Sequence, residues 1–251
     1  MKPIRPPKHE DETLDAFFHG RILILQKKGG YRFSVDAVLL ADFIQTKSTD
    51  RCLELGTGCG IISLLLSIKP FSHIKALEIQ ETLADLAVRN VRLNKLESRI
   101  CIIQTDLRHF HPGHKFDVIF SNPPYVKART GHLSASPEKS IAKHELKCDI
   151  LGIMQKTEEL LKKKGRAYFI FTAKREQEFE QAVKKSRMKI KAKRFVYPHK
   201  GGQPNFFLTE CGFLNAEKKV LKPLVLFDAR KNYTPEVQEI FAGRSHAAPS
   251  E

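Results

Sequence analysis

The sequence predicts an α/β protein built on a doubly wound, mostly parallel sheet with helices on both faces. Three observations predict it. Short runs rich in Ile, Val, Leu and Phe alternate with helical segments from Cys52 to Cys211. The first of these runs ends in a glycine cluster that opens a helix. No internal repeat or shift of composition divides the 251 residues, a length that suits one large domain with short appendages.

Residues 1–13 are polar and proline-rich, and little order is expected there. Arg21–Gln26 reads as a strand, and the segment from Tyr31 to Ile44 as a helix beginning after Ser34. Cys52–Leu55, His73–Ile79, Ile100–Gln104 and Asp117–Ser121 read as strands, with helices over Ile61–Ile68 and Glu81–Asn94. Ile153–Lys164 reads as a helix capped by Gly165. Strand Ala167–Thr172, helix Glu176–Ser186 and strands Met188–Val196 and Asn205–Cys211 follow, with Leu221–Phe227 as a further strand. The division expected is an N-terminal arm and helix over 1–50, a catalytic domain over 51–230 and an extension over 231–251.

A formal charge of +15 predicts an anionic partner, nucleic acid first, because neutralised phosphates release counterions. A basic surface that only keeps the protein dispersed is the plainer alternative. The five cysteines are scattered and show no CxxC spacing, which excludes a disulfide scaffold or zinc ribbon and fits a reducing cytoplasm. The opening residues carry no signal-peptide core, and the longest apolar run, Ile61–Ile68, is too short for a bilayer, so no membrane association is expected. The histidines of His109–His114 lack metal-ligand spacing, and no metal is expected.

Glu54-Leu-Gly56-Thr-Gly58-Cys-Gly60 lies between a strand and a helix. Glycines there permit positive φ and close approach of a ligand to backbone. The spacing is GxGxG, tighter than the GxGxxG that cradles a pyrophosphate, and suits a ligand with a carboxylate and no phosphate. Glu78 ends the next strand and can accept two ribose hydroxyls; Asp106, after the third, can accept from an adenine amine. Asn122-Pro123-Pro124-Tyr125 follows the fourth strand. Its prolines stiffen the turn and remove donors. The Asn122 side-chain oxygen and the Pro123 carbonyl remain as two acceptors, matching the two hydrogens of a planar NH₂ group, and Tyr125 offers a face on which a base can stack.

Together these elements resemble motifs I to III of the class I S-adenosylmethionine-dependent methyltransferases, over most of the chain from Cys52 to Cys211. The resemblance implies a seven-stranded Rossmann-like sheet and S-adenosylmethionine as cofactor. It places Glu54 near the methionine amino group and Ile79 and Leu107 around the adenine, with Gly56, Gly58, Gly60, Glu78, Asp106 and Asn122 completing the cofactor set. The NPPY tetrad is similar to motif IV of amino-methyltransferases, which act on base amines or on the glutamine amide of proteins. Tyr31–Leu40, Ala142–Glu145 and Asn232–Val237 resemble the bacterial tRNA1(Val) adenosine-37 N6-methyltransferase family, in which Phe33 and Asp36 would close over the cofactor. RNA, tRNA first, is then the expected partner, with Tyr125, Lys127, Arg129 and Lys143 as substrate-binding residues. Lys184–Arg194 is either a phosphate-binding surface or an edge strand guarded by lysines at 189, 191 and 193. A release-factor-type glutamine methyltransferase, a DNA adenine methyltransferase and a non-catalytic RNA-binding scaffold stay open as alternatives.

Overall fold

The computed structural model describes residues 8–29, 34–123, 150–214 and 217–244. Strands β1 (Glu12–Phe17) and β2 (Ile22–Lys27) form an antiparallel hairpin. Helix α1 (Val35–Phe43) follows, then β3 (Arg51–Leu55), α2 (Ile61–Leu66), β4 (His73–Glu78), α3 (Glu81–Leu93), β5 (Ile100–Gln104) and β6 (Phe116–Ser121). The second half holds α4 (Ile150–Leu160), β7 (Leu161–Thr172), α5 (Glu176–Lys184), β8 (Lys189–His199), β9 (Phe206–Gly212), β10 (Lys219–Val220), β11 (Leu224–Phe227) and α6 (Pro235–Phe241).

The main sheet runs β5-β4-β3-β6-β7-β9-β8. The first five of these are mutually parallel, and β9 is antiparallel to both neighbours, so β8 points the same way as β7. The expected seven strands are this path. The whole sheet has nine, because β10 and β11 add in parallel to the outer edge of β8. The outer edge of β8 is therefore paired from Ala192 to His199, and only its first residues, Lys189–Lys191, precede those pairs.

Both faces are covered, which is why the central strands read as apolar runs without alternation. One core joins Cys52, Val118, Phe120, Tyr168 and Ile170 to α1, α2, α3 and α6; Val237 and Ile240 of α6 sit in it. The other joins Leu53, Ile119, Phe169, Phe171 and Phe207 to α4 and α5. Phe179 of α5 anchors the second core, fully buried with its ring 5.2 Å from that of Phe207 and 5.6 Å from that of Phe169. No helix among the described residues is long and apolar enough to cross a membrane.

Besides β10 and α6, which the sequence reading did not include, two elements differ from expectation. The sequence promised little order up to residue 13, yet β1 starts at Glu12, whose carboxylate is fully buried against the Arg89 guanidinium on α3. An inward-facing acid disguises a strand, because alternation rules look for apolar residues on that face. Helix α4 ends at Leu160, and Gly165 lies inside β7 instead of capping a helix. A Cβ at Gly165 would lie 2.7 Å from Leu161 Cδ1 and 2.9 Å from the Lys162 carbonyl, so crowding beside the irregular β6–β7 pairing demands glycine there.

The hairpin docks on α3 through two asparagines. The Asn90 amide accepts from Leu25 N–H (2.7 Å) and donates to Leu25 C=O (3.0 Å). Asn94 does the same with Leu23, at 2.9 and 2.6 Å. Four residues of helix rise about 6 Å and two of strand about 6.7 Å, so an i,i+4 pair matches alternate strand residues. The side chains act as a surrogate strand along the β2 edge.

Candidate active site

The carboxyl ends of β3, β4, β5 and β6 share one sheet edge. The described residues of the expected cofactor set gather there, and Asp36 reaches it from the first turn of α1. Gly56, Gly58 and Gly60 all adopt left-handed φ, at 75°, 58° and 87°. The N–H groups of Gly56 and Thr57 both donate to the Leu77 carbonyl of β4, at 3.0 and 2.8 Å, folding the loop across the neighbouring strand end. At Gly60 a side chain would be strained by φ and would touch Ala87 of α3 at 3.4 Å.

Glu54 is fully buried beneath this loop. Its Oε2 accepts from Thr57 Oγ1 (2.6 Å) and Ser63 Oγ (2.5 Å). Oε1 is buried and has no partner among the described residues. Burial pushes the carboxyl up to about 8, against the pull of the two hydroxyls. Once ionised, a buried acid with one oxygen unmet can accept from a cationic donor. Cys59, in the same loop, has its thiol pushed up to about 12 by burial and stays protonated, which suits packing and not nucleophilic attack.

Glu78 is pinned by backbone, Oε2 accepting from Gly58 N–H at 2.8 Å and Oε1 from Gln80 N–H at 3.0 Å. Burial raises its carboxyl while those N–H groups oppose the rise. Each oxygen keeps a second lone pair for a ligand hydroxyl. Asp106 caps the 3₁₀ turn Leu107–His109 by accepting from Arg108 N–H (2.9 Å), and the Arg108 guanidinium grips both of its oxygens. That guanidinium holds its carboxyl below the usual range. The expected open acceptor is therefore already half of an ion pair. Ile79 and Leu107 are half-buried beyond the paired ends of β4 and β5.

Ser121 ties the end of β6 to β3, its Oγ donating to the Leu55 carbonyl at 2.7 Å. Asn122 follows, and its Nδ2 donates to Asp36 Oδ2 at 3.0 Å. Asp36 is buried, and its other oxygen accepts from Ser34 Oγ (2.5 Å) and Ala37 N–H (3.0 Å). Asp36 Oδ2 accepts the Asn122 bond, so the amide presents its NH₂ to it and turns Oδ1 the other way. Pro123 is buried beside it. Phe33, Pro124, Tyr125, Lys127, Arg129 and Lys143 lie outside the described residues.

A family model described as the methyltransferase small domain matches residues 32–197. The chain belongs to that family. Among curated relatives of this methyltransferase, a tRNA1(Val) (adenine(37)-N6)-methyltransferase from Aliivibrio salmonicida is 31% identical over 62% of this chain and 66% of its own. One of the same description from Bacteroides thetaiotaomicron is 29% identical over 85% of this chain and 90% of its own. Among solved structures, a predicted O-methyltransferase from Agrobacterium tumefaciens superposes with a TM-score of 0.66 at 17% identity, covering 84% of this chain and 97% of that one. The tRNA m1G37 methyltransferase of M. jannaschii gives 0.57 at 17% identity, covering 84% and 57%. These two share the methyltransferase's fold.

Several site residues carry signals the motifs do not include. Ser63 is a lone hydroxyl in the apolar helix IISLLL, and Asn90 sits mid-helix where asparagine is disfavoured. Both prove to hold the glycine loop: Ser63 through Glu54, Asn90 by donating to the Cys59 carbonyl at 2.9 Å. The basic stretch 184–194 divides: Lys184, Lys185, Arg187 and Lys189 are exposed, whereas Lys193 is buried. Lys193 is 1% exposed and bridges Glu176 (2.5 Å) and Glu180 (2.7 Å); Arg187 pairs with Glu158, and Arg194 with Glu236. Lys193 is thus a buried counter-ion and not a solvent-facing guard.

Proposed function

We propose that this methyltransferase moves the methyl group of S-adenosylmethionine to the N6 amine of an adenine in tRNA. The observation that carries the reading is the Asn122 amide, whose NH₂ end is held by Asp36 at the end of β6, directly before Pro123 in the chain. The curated relatives described as tRNA1(Val) adenine-37 N6-methyltransferases support it, as does the net charge of +15.

When bound, S-adenosylmethionine supplies an activated methyl on a sulfonium. Glu54 Oε1 would accept from the methionine ammonium, and Glu78 would accept from the ribose hydroxyls. Ile79 and Leu107 would flank the adenine. Asn122 Oδ1 and the Pro123 carbonyl accept the two hydrogens of the target amine, which aims the nitrogen lone pair along the transfer path. Alignment of this kind is worth up to roughly 7–11 kcal/mol. The nitrogen becomes acidic on methylation and loses its proton to water, so no side-chain base is required.

Nucleoside mass spectrometry after incubation with labelled cofactor and bulk tRNA, rRNA, DNA or release factor tests the reading. N6-methyladenosine in tRNA is the expected product. Methylated glutamine as sole product would select the protein-substrate alternative, and full turnover in Asn122→Ala would remove the mechanism for either.

A further inference from the structure

We infer that the RNA is gripped by a row of cations along the carboxyl edge of the outer sheet: Lys174, Lys200, Arg230 and Lys231. The inference rests on the tRNA reading above and locates where that substrate lies.

The topology places these residues together. Lys174 follows β7, in a turn whose Ala173 N–H donates to the Asn205 carbonyl at the start of β9, 2.9 Å away. Lys200 follows β8, which runs with β7. β11 is parallel to β8 with Phe227 in register with His199, so Arg230 and Lys231 emerge from the same edge one strand further out. Asn122 closes β6, next to β7. At about 4.8 Å per strand, the row begins roughly 5 Å and ends roughly 19 Å from the strand that carries Asn122.

All four side chains are exposed, and none enters an ion pair among the described residues, unlike Arg187, Lys193 and Arg194. The outer turn is braced by packing and hydrogen bonds. Tyr233 is stacked between Phe227 (4.9 Å) and Phe241 (5.1 Å). Asp228 Oδ1 accepts from the N–H groups of Arg230 (2.8 Å) and Asn232 (2.9 Å). Lys231 is held at φ 63°, a left-handed conformation unusual for a residue with a side chain. Fixed cations lose less freedom on meeting phosphate than cations on a loose loop. Exposed lysines also occur at the opposite edge, at Lys163 and Lys164, but ligands of such sheets approach the carboxyl ends.

The test compares two charge reversals of equal size, Lys200→Glu/Lys231→Glu and Lys163→Glu/Lys164→Glu, using bulk tRNA as probe. The first is expected to weaken tRNA binding at least about tenfold and flatten its salt dependence. It should raise KM for tRNA, with cofactor affinity and kcat at saturating tRNA close to wild type. The second should change tRNA binding little. Lys231→Gly removes one cation while relaxing the backbone, and should weaken tRNA binding without lowering Tm. Wild-type tRNA binding in Lys200→Glu/Lys231→Glu overturns the row, and so does an equal loss in the two double variants. A wild-type protein that binds cofactor but neither binds nor methylates tRNA overturns the substrate reading, and the row with it.

Discussion

Asn122 and Asp36 are 86 residues apart in sequence, yet the amide of one donates to the carboxylate of the other at 3.0 Å. The pairing joins the first turn of α1 to the end of β6 and sets which end of the amide faces the carboxylate. Asp36→Ala should therefore cost kcat more than cofactor affinity. Losing one charge-assisted hydrogen bond predicts a fall in kcat of about 10- to 100-fold. Single-turnover rates beside calorimetric cofactor binding check this. Equal losses in both would make Asp36 a cofactor ligand, as the family resemblance implies, and not a positioning residue.

Glu54 makes cofactor binding depend on pH. With its carboxyl pushed up to about 8, the free protein holds it protonated at neutral pH, while a cationic amino group needs the carboxylate. Between about pH 6 and about pH 7.5, affinity should rise with pH by up to about tenfold per unit, and binding should release a proton. The sign for folding is the reverse: an acid whose folded pKa is raised loses stability as pH climbs from its ordinary 4.5 towards 8. Calorimetry in buffers of different ionisation heat reads the proton, and Glu54→Gln should abolish both the release and the pH slope. A flat affinity profile for wild type would remove Glu54 from the ammonium site.

The Glu12–Arg89 pair should be stable only as a pair. Arg89→Met leaves a fully buried carboxylate with Lys27, 3.3 Å away, and His9 as its remaining side-chain partners, and should cost roughly 3 kcal/mol. Glu12→Leu combined with Arg89→Met should recover much of that loss. Urea denaturation of the two single variants and the double closes the cycle; additive losses would show that the two side chains do not depend on each other.

Asn90→Ala should destabilise the fold more than Asn94→Ala. The first strands both polar groups of buried Leu25 and the Cys59 carbonyl, at roughly 3 kcal/mol. The second uncovers groups of Leu23 in a half-buried setting where water can replace the amide, at roughly 1 kcal/mol. Thermal melts of both decide the order.

The glycine loop and the strand ends around it were largely readable from sequence, because tight turns and strand ends have few chemical solutions. Gly56, Gly58, Gly60, Glu78 and Asn122 could be named from spacing, and the φ angles and strand ends agree. What stayed hidden are residues whose types contradict their places. Glu12 is an acid on the inward face of β1, and Lys193 is a lysine in the core. The lysines Lys162–Lys164 resemble a helix end yet lie in β7. In each buried case the partner that makes the residue tolerable, Arg89 or Glu176 with Glu180, is distant in sequence, so local pattern carries no trace of it. Asp106 shows the opposite: its place was legible, but its engagement by its near neighbour Arg108 was not.

The Asn90 side chain holds two segments at once, the β1–β2 hairpin and the glycine loop, through Leu25 and the Cys59 carbonyl. Thermodynamic linkage makes that grip reciprocal: whatever steadies the loop also steadies the hairpin, by the same free energy. Cofactor should then slow hydrogen exchange at the Leu25 amide, far from the transferred methyl, and an antibody or truncation that peels the hairpin away should weaken cofactor binding without contacting it.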